Sequence, residues 1–380
     1  MIAARRAAAC EHVPSALYNA RGEAGLQLSK VAASQYGDHR HMRLAPCLLA
    51  FAFAIGPLST DRAQAQADSY RGKTIDLMIG YSVGGGYDVY ARLIARHLGK
   101  HIPGNPTVTP RNMEGAGSLR LANWIYNVAR KDGLVFGTIG RGTGFDPLLG
   151  SKQAQFDGTK FNWIGSANDE VSVCVVWNGR GKVTKFEDLL TQQLSVGGTG
   201  AAADTDQFPR IINAVLGTKM KIVTGYPGGN DVNLALERGE VDGRCGWSWS
   251  SVKSTRANWL SDKKISILMQ LSLAKHPDLP DVPLITDLAK TDEQRQILKL
   301  IFARQALGRP YLAPPGVPAE RVAILRKAFI DTMADKEFLA EAEQAQLEIT
   351  PVAGEAVQKL VAEVYQTPPA VVRKAAEILR

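Results

Sequence analysis

Residues 74–98 read TIDLMIGYSVGGGYDVYARLIARHL, and this stretch decides the fold class. Residues 74–81 are an apolar run of strand length, whereas apolar residues recur at helical spacing from residue 89 to residue 98. Three glycines, Gly84 to Gly86, lie between them. Because glycine lacks a side chain, the main chain can approach a ligand closely there, and the free N–H groups of the following helix point at the same place. The stretch therefore predicts a strand–loop–helix unit whose main chain binds an anion or a carboxylate.

The same order of strand, glycine-rich loop and helix recurs along the chain, which is typical of an α/β protein. Further strands are predicted at 107–110, 135–139, 171–177, 194–197, from 221 and at 265–271, and helices at 119–129, 208–216, 231–239, 319–333, 336–346 and 353–366. In open parallel sheets the ligand lies at the carboxyl ends of the strands. Two such lobes facing each other would form a clamshell with a ligand cleft between them.

The N-terminal region carries the pattern of a secretory signal peptide. Met42 and Arg43 form a basic start, residues 44–56 are almost continuously apolar, and residues 63–65 read Ala-Gln-Ala, a cleavage pattern. The apolar run is too short for a membrane anchor, since spanning takes about 20 residues. We therefore expect an upstream extension at 1–41, a signal peptide at 42–67, and a mature protein in the periplasm that begins at Gln66 or Asp68.

Composition excludes several classes of function. The net charge is +8, but no cluster of Lys and Arg with interleaved aromatic residues stands out, so nucleic acid is not an expected partner. Residues 198–203 match the pattern G-x-G-x-x-A, yet the next strand ends without the acidic residue that a dinucleotide site needs, so no cofactor is expected. His97 and His101 have the spacing of metal ligands, but Gly99 lies between them without an acidic third ligand, so no metal is expected.

Three sets of residues leave alternatives open. Residues 246–250 resemble a nucleophile elbow, although they end in Ser rather than Gly. The main prediction is a binding protein without catalytic residues, and the alternative is an exported serine hydrolase that uses Ser248 with His276. Cys174 and Cys245 would form a disulfide in an oxidising compartment, or remain two small buried side chains. Trp247 and Trp249 would stack on a planar ligand, or pack in a hinge or core.

Two arginines and one aspartate have the placement of functional residues. Arg141 and Arg244 are each predicted in a glycine-flanked loop directly after a strand. A guanidinium matches a carboxylate with two parallel hydrogen bonds, although a structural role is the alternative for each arginine. Asp88 follows the triple glycine and is expected to cap the first helix and to order the loop.

Several motifs together resemble the periplasmic substrate-binding proteins of tripartite tricarboxylate transporters, the Bug or TctC family. They are residues 81–88 with Ala91 and Arg92, the loop 112–117, the glycine-rich segment 197–205, the stretch from Tyr226 to Asp242, and the turn 312–318. The resemblance covers nearly all of residues 68–380. Tyr87 stands where the family usually has Thr, and Ser82 and Val83 replace its prolines, so the resemblance implies a branch of the family with a different ligand.

The resemblance implies a two-domain periplasmic-binding-protein-like Venus flytrap. Domain 1 would comprise 68–165 and a return at 273–380 with the C-terminal helices, and domain 2 would comprise 166–272. The protein would be a monomer that captures a small carboxylate, a di- or tricarboxylate or a related acid, for the membrane permease subunits of the transporter. A sensor-input binding protein without transport is the other alternative. The expected ligand-binding residues are Ser82, Val83, Gly84, Gly85, Gly86, Tyr87, Asp88, Gly115, Ala116, Gly117, Arg141, Thr143, Gly198, Thr199, Ala201, Asp204, Thr205, Tyr226, Arg244 and Trp247.

Overall fold

A computed structural model describes residues 70–379 of the chain. The predicted upstream extension, signal peptide and cleavage point therefore lie outside the described residues. Within this range, no helix combines the length and the apolar composition that crossing a membrane requires.

Strands and helices alternate through most of this range. The strands are β1 Thr74–Ile79, β2 Thr107–Asn112, β3 Val135–Thr138, β4 Asn162–Ser166, β5 Ser172–Trp177, β6 Leu194–Gly197, β7 Met220–Val223, β8 Gly243–Ser248, β9 Ile265–Leu271, β10 Pro310–Ala313 and β11 Val352–Ala353. The α-helices are α1 Gly86–Leu98, α2 Leu119–Asn127, α3 Asp204–Leu216, α4 Gly229–Arg238, α5 Trp249–Ser261, α6 Asp292–Phe302, α7 Ala319–Met333, α8 Lys336–Gln344, α9 Gly354–Tyr365 and α10 Pro369–Leu379.

The strands form two mixed sheets, which define two lobes. The sheet of the first lobe has the order β11-β4-β10-β3-β1-β2, with β1 parallel to β2 and β3, and β10 antiparallel to β3 and β4. The sheet of the second lobe has the order β7-β6-β8-β5-β9, with β6 parallel to β7 and β8, and β5 antiparallel to β8 and β9. The predicted two-lobed α/β fold is confirmed.

Each lobe has its own apolar core. In the first lobe, buried residues of β1 such as Leu77 pack with Ile94 of α1 and Phe329 of α7. Full burial of one such side chain stabilises the fold by roughly 1.5–3 kcal/mol. In the second lobe, Phe208 of α3 contacts Phe302 of α6 edge to face, and α10 packs on the same core. The C-terminal helices α6 and α10 thus lie on the second lobe, and the division into 68–165, 166–272 and 273–380 stays a prediction.

The second-lobe core also contains the two cysteines. Cys174 of β5 and Cys245 of β8 are buried and joined by a disulfide. This bond connects two neighbouring strands of the sheet that carries Arg244. Of the two alternatives predicted for these cysteines, the structure therefore shows the disulfide.

The structure corrects several local predictions. Helix α1 begins at Gly86 with Gly85 at the N-cap, so Asp88 is not the capping residue. Helix α4 begins at Gly229 with Gly228 at its N-cap, two residues before the start at 231 that the sequence predicts. Arg244 lies inside strand β8 rather than in a loop after it. Helices α5, α6 and α10 were not predicted from the sequence; in α5 the apolar residues do not gather on one face, so no helical period is visible.

Candidate functional site

A pocket lies between the two lobes, where the glycine-rich loops meet. Its cavity has a volume of about 50 Å³. It is lined from the first lobe and its return strand by Tyr81, Gly85, Gly86, Tyr87, Arg141 and Arg309, and from the second lobe by Thr199, Ala203, Asp204, Thr205, Gly229, Arg244, Gly246, Trp247, Ser248 and Ser251.

The lobes approach so closely that only glycine fits at two positions. A Cβ on Gly86 would overlap the hydroxyl of Ser251, and a Cβ on Gly117 would lie 2.5 Å from the main-chain nitrogen of Ala203. Gly117 also has a φ of +68°, which side chains disfavour. At the mouth of the cleft, the hydroxyl of Ser82 donates to the carboxylate of Asp231 at 2.5 Å. The structure therefore shows the two lobes closed against each other.

The triple-glycine loop is ordered by Asp88. The carboxylate of this buried residue accepts hydrogen bonds from Gly84 N–H, from Arg92 Nε and from the amide of Asn112, each at 2.9 Å. The predicted loop-ordering role of Asp88 is confirmed, although its capping role is not. Because the N–H of Gly84 is used internally, Gly85 and Gly86 at the start of α1 are the part of the loop that lines the pocket.

Arg141 crosses from the first lobe to the second. Its Nε lies 3.0 Å from a carboxylate oxygen of Asp204, and its other nitrogens donate to Gln305 and to the hydroxyl of Ser248. Burial alone would lower the pKa of Arg141, but the neighbouring Tyr87 and Asp204 oxygens raise it. The guanidinium is therefore held charged at the lobe interface, and Asp204 supplies its negative partner.

Arg244 is also buried, but it has no such partner. It donates to the carbonyl of Gly229 at 2.9 Å and to the side-chain oxygen of Asn233 at 2.6 Å, and it lies 4.6 Å from the ring centre of Trp247. Among the described residues, no carboxylate comes within 4.0 Å of its nitrogens. Burial and the cations Arg256 and Arg309 lower its pKa. A buried cation without a counter-charge is costly, so this position favours an anion in the pocket.

Arg309 is a site residue that the sequence analysis missed. It is 1% exposed, donates to the hydroxyls of Ser248 and Ser251, and lies 3.4 Å from the carboxylate of Glu170. Its guanidinium lies 4.8 Å from the ring centre of Tyr87. Only its position just before β10, next to a glycine, could have suggested it, and nothing in the sequence shows that β10 returns to the pocket.

The aromatic residues form walls whose faces are already covered. Tyr81 and Tyr87 stack with their ring centres 4.7 Å apart, and Arg309 covers Tyr87 as well. Trp247 carries Arg244 on its ring, and Trp249 is buried with its indole N–H donating to Asp278. Both tryptophans are therefore buried and packed, and stacking of Trp247 on a ligand stays a prediction.

The pocket contains only part of the expected site. Of the expected residues, Gly85, Gly86, Tyr87, Arg141, Thr199, Asp204, Thr205, Arg244 and Trp247 line it. Ser82, Val83, Gly84, Asp88, Gly115, Ala116, Gly117, Thr143, Gly198, Ala201 and Tyr226 do not belong to the lining, although several order its loops. The lining also contains residues that were not predicted from the sequence, Tyr81, Ala203, Gly229, Gly246, Ser251 and Arg309, and Ser248, which was predicted only as a nucleophile. Whether the expected residues bind a ligand stays a prediction.

The contacts of Ser248 do not support a nucleophile. Its hydroxyl accepts hydrogen bonds from Arg141 and Arg309, whereas a nucleophilic serine needs a base beside it. His276 instead faces the carboxylates of Asp278 and Glu348. Lys253 binds the same two carboxylates, so its ammonium supplies the positive charge there.

The buried acid Asp146 also links the two lobes. Asp146 is 2% exposed and accepts a hydrogen bond of 2.9 Å from the amide of Gln207 on α3. Burial raises its pKa to about 7, since desolvation outweighs the hydrogen bond from Gln207 and the nearby Arg304 cation.

The comparisons with known proteins agree with a binding protein. No family model matches the chain. It is 28% identical over 315 residues to a UPF0065 protein in the TAR-I ttuE-ttuC' intergenic region of Agrobacterium vitis, covering 80% of this chain and 84% of that protein.

Solved structures show the same fold. The periplasmic binding protein BugD aligns with a TM-score of 0.65 at 20% identity over 80% of this chain and 98% of its own. Rpa4515 of R. palustris with adipate gives 0.63 at 18% identity, covering 81% and 97%, and MatC of Rhodopseudomonas palustris with bound malate gives 0.62 at 17% identity, covering 81% and 99%. BugD is a periplasmic binding protein by name, and the likeness of this chain to all three is one of fold.

Proposed function

Because the chain resembles the Bug- and TctC-type periplasmic binding proteins in its motifs and its fold, we propose that it is a periplasmic solute-binding protein for a small dicarboxylate. The ligand is held between the lobes and delivered to the membrane permease subunits of a tripartite tricarboxylate-type transporter. Two structural neighbours have a carboxylate bound, adipate in Rpa4515 and malate in MatC.

The observation that carries this proposal is the charge balance of the pocket. Three buried guanidiniums line it: Arg141, Arg244 and Arg309. Asp204 lies near Arg141, and Glu170 lies near Arg309. Two carboxylates against three guanidiniums leave one positive charge, at Arg244, which one carboxylate of a ligand would balance, while the start of helix α1 offers main-chain N–H groups to a second carboxylate.

The two ends of such a ligand have different receptors. Arg244 would bind one carboxylate. Its guanidinium otherwise contacts only neutral oxygens and the face of the Trp247 ring among the described residues. A guanidinium fits a carboxylate better than an ammonium does, because two of its N–H groups are parallel. Gly85 and Gly86 at the start of α1 bring main-chain N–H groups and the positive end of the helix to the other carboxylate.

Native mass spectrometry of the protein as purified tests this function. A bound acid of low mass with two carboxylates is the expected result, together with ligand-induced thermal stabilisation and no turnover. Release of a hydrolysed product would instead support the serine hydrolase. Uptake of labelled acid by cells that carry the permease separates transport from a sensor-input role, since a sensor would bind the acid without moving it.

A further inference from the structure

We propose that Tyr87 sets the length of the ligand, so that the pocket accepts two carboxylates joined by a short aliphatic chain and rejects longer ones. This inference rests on the proposed function, because it concerns the same pocket. It starts from the size of the cavity, about 50 Å³. At roughly 10–15 Å³ for one water, the cavity holds about three to five waters, which matches a ligand of few heavy atoms.

Tyr87 is a rigid part of the pocket wall. As the second residue of α1, it is held on three sides. Its ring stacks on Tyr81 with an interplanar angle of 24°, the guanidinium of Arg309 covers the ring, and its hydroxyl accepts the main-chain N–H of Arg141 at 3.0 Å. A side chain fixed by a ring, a cation and a hydrogen bond cannot turn aside for a longer ligand without losing these contacts.

The surroundings of Tyr87 also decide what kind of ligand fits. The ring faces that border the pocket are covered by other groups, as the positions of Arg244 on Trp247 and of Arg309 on Tyr87 show. An aromatic acid would have to displace a guanidinium in order to stack. A flexible aliphatic acid needs no stacking surface and can place one carboxylate near Arg244 and the other near Gly86. The pocket therefore favours short aliphatic diacids.

Replacing Tyr87 with Thr tests the inference, because it removes the whole ring and frees the space that the ring fills at the pocket wall. The affinities of propanedioate, butanedioate, pentanedioate and hexanedioate are measured by titration calorimetry. We expect the unaltered protein to bind one of the two shortest acids best. One methylene too many costs roughly 10- to 200-fold in affinity, so hexanedioate should bind at least tenfold more weakly. In Tyr87→Thr, the ratio of hexanedioate to butanedioate affinity should rise at least tenfold.

Tyr87→Phe is the matched control, since it keeps the ring and loses only the hydroxyl. It should keep the order of affinities even where all of them fall. The same length profile in the unaltered protein and in Tyr87→Thr would overturn the role of Tyr87 while leaving the proposed function standing. If the unaltered protein binds no diacid at all, the proposed function fails and the length limit fails with it.

Discussion

Replacing Arg244 with Ala should separate a ligand role from a structural one. If Arg244 holds a carboxylate with two charge-assisted hydrogen bonds, each worth about 1.5–3 kcal/mol, its loss removes about 3–6 kcal/mol of binding free energy. This corresponds to roughly a 10²- to 10⁴-fold loss in affinity for a diacid. The mono-amide of the same acid has no second charge for Arg244, so its affinity should fall by about tenfold or less.

The fold should survive this change. Ala leaves the carbonyl of Gly229 and the side-chain oxygen of Asn233 without their donor, which costs about 1–3 kcal/mol for each. The change also removes a buried cation close to Arg256 and Arg309, which offsets part of that cost. Titration calorimetry with butanedioate and its mono-amide, alongside thermal unfolding, measures both effects. The affinity of Arg244→Lys for butanedioate should lie between those of the unaltered protein and of Arg244→Ala, because lysine keeps the positive charge but loses the two parallel N–H groups. Equal losses for both ligands, or unfolding of Arg244→Ala without ligand, would refute the role.

Two further changes test lobe closure and a buried acid. Gly86→Ala places a methyl group against Ser251, which should hold the lobes apart. The radius of gyration of this variant at saturating ligand should therefore stay larger than that of the unaltered protein. The control is Gly85→Ala, whose lobes should close normally, because its Cβ would lie 3.5 Å from the main-chain nitrogen of Gly229. Equal scattering curves for the two variants would contradict this. The pKa of Asp146 is about 7 in the folded state, against 3.8 for the unfolded chain. Between these pH values the folded state therefore binds more protons than the unfolded state. The contribution of Asp146 to the free energy of unfolding falls by up to about 4 kcal/mol as pH rises through that window. Asp146→Asn should remove this fall from the pH profile of the melting temperature; an unchanged profile would count against it.

The sequence was sufficient for the fold because its signal is local. Apolar runs followed by glycines identified β1, and the spacing after them identified α1, since strand and helix periods depend on neighbouring residues. The start of α1 was placed too late because a glycine at the N-cap leaves no side-chain pattern to recognise. Helix α5 was missed because its apolar and polar residues are not sorted onto separate faces, so the sequence has no helical period to recognise.

The site depended on contacts that no local pattern contains. Arg141 and Arg244 stood out because each has a glycine beside it, but the sequence could not show that only Arg141 has a carboxylate partner. Arg309 directly precedes strand β10, which lies far along the chain and returns to the first sheet, and its partners Ser248 and Ser251 belong to the second lobe. The charge balance of the pocket is therefore a property of the tertiary structure alone.

Titration calorimetry of the unaltered protein with butanedioate and with butanediamide tests the central claim most directly. The two molecules have similar size and shape, and only the first carries two negative charges. The charge balance at Arg141, Arg244 and Arg309 predicts saturable binding of one diacid per chain and no measurable binding of the diamide. Equal binding of both molecules, or no binding of any diacid from three to six carbons, would contradict the account.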